Sequence, residues 1–165
     1  MIRYLLAVTL FLTSGFQIFA QDSLAGNQKK KILLAYETTE FKTDLVKKMK
    51  SLLEKDTIEV RVIEHSKGAL DKENPGDYGA IFISNSGVNS QVRPWINDWI
   101  SKNEKYSSRI ILHTTQTHDW KVEVSVDAVT SASNKRDGKR LAAEYVKMLK
   151  NRLTSATATS PSSDE

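Results

Sequence analysis

Three short turns and one strand end hold the residues of this chain that could do chemistry. In AYETTEFKT (35–43), Thr38, Thr39, Lys42 and Thr43 follow an apolar run and open a helical pattern. Hydroxyls, backbone amides and a cation at the amino end of a helix form a receptor for a phosphate-like anion. Two neighbours oppose that use. Glu40 would repel an anion by about 1–4 kcal/mol per charge pair at 4 Å, depending on the effective dielectric. Phe41 resists the positive φ and close backbone approach that glycine permits. The same residues also have a purely local reading, in which Thr38 or Thr39 caps the helix and Phe41 shields its first turn.

The second turn, SNSGVNS (84–90), offers Ser84, Asn85, Ser86 and Gly87, small groups that expose backbone to a ligand. As a plain connection it would end by capping the next helix through Asn89 or Ser90. The third, TTQTHDW (114–120), carries Thr114, His118 and Trp120 beyond a strand end, where a flat ring could stack or a surface Trp could fold over the loop. Other chemistries find no residues. The chain has no cysteine and no G-x-S-x-G elbow, and His65, His118 and Asp119 lack metal-ligand spacing.

The elements that must carry these turns follow from hydrophobic pattern. KILLAY (31–36), YGAIFIS (78–84) and SRIILHT (108–114) are nearly continuous apolar runs, as in strands buried on both faces. TIEVRVI (57–63) and VEVSVDAV (122–129) alternate, as half-exposed strands do. Helical stripes run through Leu45, Val46, Met49, Leu52 and Leu53, through Val92, Trp95, Ile96, Trp99 and Ile100, and through Leu141, Ala142, Tyr145, Val146 and Leu149. Pro94 suits the first turn of the second helix. Strands alternating with helices imply a parallel sheet covered on both faces. Placing the apolar runs centrally and the alternating ones at the edges gives an α/β three-layer sandwich, a five-stranded parallel sheet in order 2-1-3-4-5. Ligands of such sheets bind beyond the carboxyl ends of the strands, beside the switch between strands one and three. That is where the three turns lie.

With KILLAYETTEFKT, DYGAIFISNSGVNSQVRPWINDWI and the closing VDAVTSASNKRDGKRLAAEYVKML in place, residues 31–153 resemble the flavodoxin-like family. The resemblance implies FMN as cofactor. The hydroxyls of Thr38, Thr39 and Thr43, aided by Lys42, would hold its phosphate. Ser84, Asn85, Ser86, Gly87, Thr114, His118 and Trp120 would flank its ring. Glu40 and Phe41 stand where the family has a hydroxyl and a glycine. The segment DAVTSAS (127–133) also resembles the acceptor sequence of bacterial flavin transferases, which implies covalent FMN on Ser133, although Ser131 replaces the usual glycine. Its local alternative is that Ser133 or Asn134 caps the last helix.

Residues 1–20 have the layout of a secretory signal, with Arg3, an apolar run from Tyr4 to Leu12 and Ala20 before Gln21. A permanent N-terminal anchor is the alternative. Residues 21–30 read as a flexible linker and 154–165 as a disordered polar tail. The expected product is exported, periplasmic or secreted, with no stable membrane span once the signal is removed. Its formal charge of +4 falls to +3 without Arg3. The basic residues are scattered, so no nucleic-acid surface is expected. Two functions fit. One is an FMN-binding electron-transfer or reductase component with a redox partner protein. The other is a flavin-free binding or interaction domain of the cell envelope.

Overall fold

The structure is a computed structural model, described here for residues 30–66, 68–89, 91–117 and 121–158. Five strands, Lys31–Tyr36 (β1), Glu59–Glu64 (β2), Ala80–Ser86 (β3), Ile110–Thr115 (β4) and Asp127–Ser131 (β5), form one sheet ordered β2-β1-β3-β4-β5. Every pairing is parallel. The central strands β1, β3 and β4 are buried almost throughout, whereas β2 and β5 are largely exposed or half-buried. The sequence pattern anticipates this order, because a strand flanked on both sides and covered on both faces offers no position for polar residues except at its ends.

Two helices, Glu40–Lys55 (α1) and Gly138–Ala158 (α3), cover one face. Their side chains Phe41, Leu45, Met49, Leu141, Tyr145 and Leu149 pack on Ile32, Leu34, Phe82 and Ile111. Pro94–Lys102 (α2) covers the other face, setting Ile96, Trp99 and Ile100 against Leu33, Ile81, Ile83 and Leu112. Trp99 is buried, and its Nε1 donates to the Leu70 carbonyl at 2.9 Å, tying α2 to a short 3-10 turn at Leu70–Lys72.

Several boundaries differ from the sequence reading, each for a local reason. The second strand starts at Glu59 because Thr57 takes a left-handed φ of 57° at the end of α1. Residues 108 and 109 belong to a 3-10 segment, Glu104–Arg109, which delays the fourth strand to Ile110. The largest shift concerns VEVSVDAV. Only its last three residues reach β5, while Val122, Val124 and Val126 pack on the α2 side of the core without pairing in the sheet. Alternation reports one buried side, and a chain segment laid over a core satisfies it as well as a strand does. The last helix runs through Ala158, so residues 154–158 of the expected tail are helical. The hydroxyls of Thr154 and Ser155 donate to the carbonyls of Lys150 and Asn151, so these side chains are satisfied within the helix. Among the described residues, no helix is long and apolar enough to cross a membrane.

Candidate functional site

The carboxyl ends of β1, β3 and β4 form a rim, and an ion cluster sits at its centre. The turn from β1 to α1 is three residues long, Glu37 to Thr39. Its backbone is pinned by the Glu37 amide, which donates to the Ser84 carbonyl at 3.0 Å. From there the Glu37 carboxylate lies across the rim. It accepts from the Ser86 amide at 2.8 Å, from Lys42 Nζ at 3.1 Å and from Arg93 at 2.6 Å. Lys42 Nζ also donates to Ser86 Oγ at 2.5 Å. Burial pushes the Glu37 pKa up, but the hydrogen bonds from Ser86, Arg93 and Lys42 outweigh it and hold the carboxyl at about 2. Burial lowers the pKa of Lys42, and the bond to Glu37 opposes that.

The helical period explains Lys42. Positions 42, 45, 46, 49 and 53 form one inward stripe, and Lys42 is its polar first member, with a side chain only 1% exposed. A buried ammonium needs a partner, and the strand end supplies one. Arg93 is the residue before α2 and brings a second cation, leaving two cations against one carboxylate. Arg93 Nε is buried without an acceptor among the described residues.

His65, just past β2, borders this cluster. Its Nε2 donates to the Ser84 carbonyl at 2.7 Å, and its Nδ1 is buried without a partner among the described residues. Burial lowers its pKa first of all, although the Ser84 carbonyl and Glu37 pull the other way. Beneath the rim, His113 bridges Ser84 Oγ and Ser131 Oγ, each at 2.8 Å. A hydroxyl–imidazole–hydroxyl chain resembles a nucleophile with its base. Burial, however, presses His113 down to about 3, and the orienting group is a hydroxyl rather than a carboxylate. It is a saturated polar chain inside the core, its imidazole stacked on Phe82 and tilted against Tyr145. Among the described residues no group of acidic and histidine side chains could hold a metal ion.

The residues singled out from the sequence are distributed as follows. Thr39 caps α1, its hydroxyl accepting from the Lys42 amide at 3.3 Å. Thr38 is exposed beside it, and Thr43 is half-buried on the first turn. Glu40 is exposed and paired with Lys135 on the way to α3, while Phe41 points into the core. Ser84, Ser86 and Lys42 belong to the network just described. Gly87 donates its amide to the Thr115 carbonyl at 3.1 Å. Asn85 and Thr114 face each other in register, fully buried on the α2 side. Among the described residues, neither end of the Asn85 amide nor Thr114 Oγ1 has a hydrogen-bond partner. His118 and Trp120 lie outside the described residues. Ser133 is exposed past β5, and Asn134, not Ser133, supplies the cap, accepting from the Arg136 amide at 3.1 Å. Asn89, the other expected cap, sits at φ 50° in a tight turn closed by Val88 and Gln91, and α2 begins at Pro94 with no side-chain cap.

Sequence reasoning missed Glu37 and Arg93. The stripe through position 42 announces a buried cation in need of a carboxylate, and Glu37 is the acid that directly follows β1. Arg93 carries no such signal, since it reaches the rim from 56 residues away.

No protein-family model matches the chain, and no curated protein matches it. Solved structures do. The flavodiiron protein from Giardia intestinalis aligns with 79% of this chain at 9% identity and a TM-score of 0.52. A flavodiiron core from Synechocystis sp. PCC6803 aligns with 76% at 9% identity and a TM-score of 0.50. This chain spans 37% and 36% of those two proteins. A flavodoxin from the domain Archaea, 98% of which is covered, aligns with 74% of this chain at 9% identity and a TM-score of 0.49. With its sheet order, the chain has the flavodoxin-like fold.

Proposed function

We propose that this domain binds FMN at the rim and serves, outside the cytoplasm, in electron transfer or as a reductase component that meets a redox partner protein. The observation that carries this reading is the unmet hydrogen-bonding capacity at the ends of β3 and β4. Asn85 Oδ1, Asn85 Nδ2 and Thr114 Oγ1 are buried at adjacent positions of the two strands and have no partner among the described residues. A buried amide left without partners costs about 1–3 kcal/mol for each unmet group, so such a site is built to be completed by a polar guest or ordered water. The polar edge of a flavin ring has the donors and acceptors that Asn85 and Thr114 lack. Bound flavin would supply the electron-transfer chemistry itself. The phosphate would lie at the amino end of α1, between the exposed Thr38 and the Glu37 cluster.

The phosphate end fits less well than the ring end. Thr39 spends its hydroxyl on the helix cap, Glu40 stands at the helix end, and Lys42 is occupied by Glu37. The phosphate therefore adds little to affinity, and riboflavin should bind within a few-fold of FMN. Protein purified without added cofactor should be yellow, or should quench flavin fluorescence on titration. Colourless protein that quenches neither flavin overturns the reading.

The Glu37 cluster favours a second reading, a flavin-free binding or interaction domain of the envelope, because the chain's own carboxylate already sits on the rim cations. Protein that fails the titration would have this function. Covalent attachment at Ser133 is a further possibility of the first reading, supported by the exposure of that hydroxyl. A mass spectrum of protein from its native compartment tests it, since an unmodified Ser133 peptide rules it out.

A further inference from the structure

We propose that Lys42, Ser86 and Arg93 form an oxyanion-binding site whose resident occupant is the chain's own Glu37 carboxylate, a tethered pseudo-ligand that an incoming phosphate group displaces. The receptor is composed as an anion site is. Two cations and one backbone amide converge on a single carboxylate, and the Ser86 hydroxyl stands beside them, accepting from Lys42 Nζ. The occupant is also one charge short, with two cations facing it and Arg93 Nε without an acceptor among the described residues. A dianionic phosphate brings the missing charge, and its extra oxygens can accept from Arg93 Nε as well.

Displacement requires little of the fold. The backbone of Glu37 is held by its own amide bond to the Ser84 carbonyl, independently of the side chain. The side chain is 22% exposed and lies on the turn rather than inside α1, so rotation about its own bonds carries the carboxylate to solvent. Lys42 cannot follow, because its side chain is buried on the inward stripe of α1. The receptor therefore persists when the occupant leaves. In the resting chain Glu37 competes at the high effective concentration of an intramolecular group, so only a ligand with additional contacts displaces it. This deepens the FMN reading only in naming the ligand's phosphate. The receptor itself is tested without flavin.

The experiment is a thermal-shift and calorimetric titration of the wild-type chain, Glu37→Gln and the double variant Glu37→Gln/Lys42→Met, using inorganic phosphate against chloride at equal ionic strength. Phosphate should bind Glu37→Gln at least tenfold more tightly than wild type, and Lys42→Met should abolish the gain. Acetate should raise the midpoint of Glu37→Ala, as a free carboxylate replacing the tethered one. Equal phosphate affinity in all three proteins means an adventitious ion only and overturns the proposal. If Glu37→Gln does not fold in chloride, refolding in phosphate decides: recovery supports the site and failure overturns it. FMN and riboflavin, titrated into Glu37→Gln, separate a nucleotide-borne phosphate from the free ion. A preference for FMN that appears only in the variant assigns the site to the flavin phosphate. Phosphate binding with no flavin binding leaves the receptor standing and removes the FMN reading.

Discussion

Glu37 and Lys42 hold each other at the rim, but removing one is not the mirror of removing the other. Without Lys42, Glu37 keeps Arg93 and the Ser86 amide, a nearly neutral pair at the protein surface. Without Glu37, a lysine with 1% of its side chain exposed loses its counter-charge while Arg93 stays close by. An uncompensated buried charge costs about 3–5 kcal/mol, whereas a lost charge-assisted hydrogen bond costs about 1.5–3 kcal/mol. Glu37→Gln should therefore lower the urea midpoint more than Lys42→Met does, and the double variant should recover part of the loss. Equal midpoints for the two single variants would contradict the pairing. At this scale the sequence was only partly legible. It locates the turn and its lysine, but sets Lys42 and Glu40 against an expected phosphate. Glu40 instead finds Lys135, 95 residues away, and such a pairing depends on the packed arrangement of α1 and α3 rather than on local spacing.

At the scale of the element, α1 shows how one turn serves the helix before it serves any ligand. Thr39 accepts from the Lys42 amide, and loss of such a cap costs about 1 kcal/mol. Thr39→Ala should lower the melting temperature by about 2–8 °C and leave flavin affinity within twofold. A collapse of affinity without a change in melting would make Thr39 a ligand-holding residue instead. Phe41 is 6% exposed and packs with Leu45 and the α3 side chains. Phe41→Gly, which would restore the glycine of the resembled loop, should cost about 3–5 kcal/mol from the lost side chain alone. A folded Phe41→Gly protein of wild-type stability would show that this ring is not part of the core. The helices and central strands were readable because each commits many residues to one period. The edges were not: the valines at 122, 124 and 126 have the alternation of a strand but lie over the α2 side of the core, and the strand proper is Asp127–Ser131.

For the whole molecule, sheet order was the most legible feature, because burial of β1, β3 and β4 on both faces leaves little choice of who sits in the middle. What the sequence hides is the polar content of that middle. Ser84, Asn85, His113 and Thr114 are fully buried at the strand ends, where the apolar runs give way to polar residues. This polar layer links stability to pH. Burial lowers the pKa of His65, and it presses His113 from 6.5 to about 3, so the folded chain resists protons that the unfolded chain accepts below pH 6.5. Stability from these groups is fully present above pH 6.5 and is lost as pH falls toward their folded values. His113 contributes a slope of about 1.4 kcal/mol per pH unit while only the unfolded form is protonated, and His65 acts in the same direction. Glu37, lowered from 4.5 to about 2, adds its own loss below pH 4.5. Denaturation followed at pH 7, 6, 5 and 4 should thus show a steady fall beginning near pH 6.5, before most carboxylates titrate. His113→Gln should reduce the slope between pH 6.5 and 4.5 to the share of His65 and leave the Glu37 part below it unchanged. A wild-type profile that stays level down to pH 5 would mean that both imidazoles accept protons in the folded state, and that the strand ends are open to water rather than sealed.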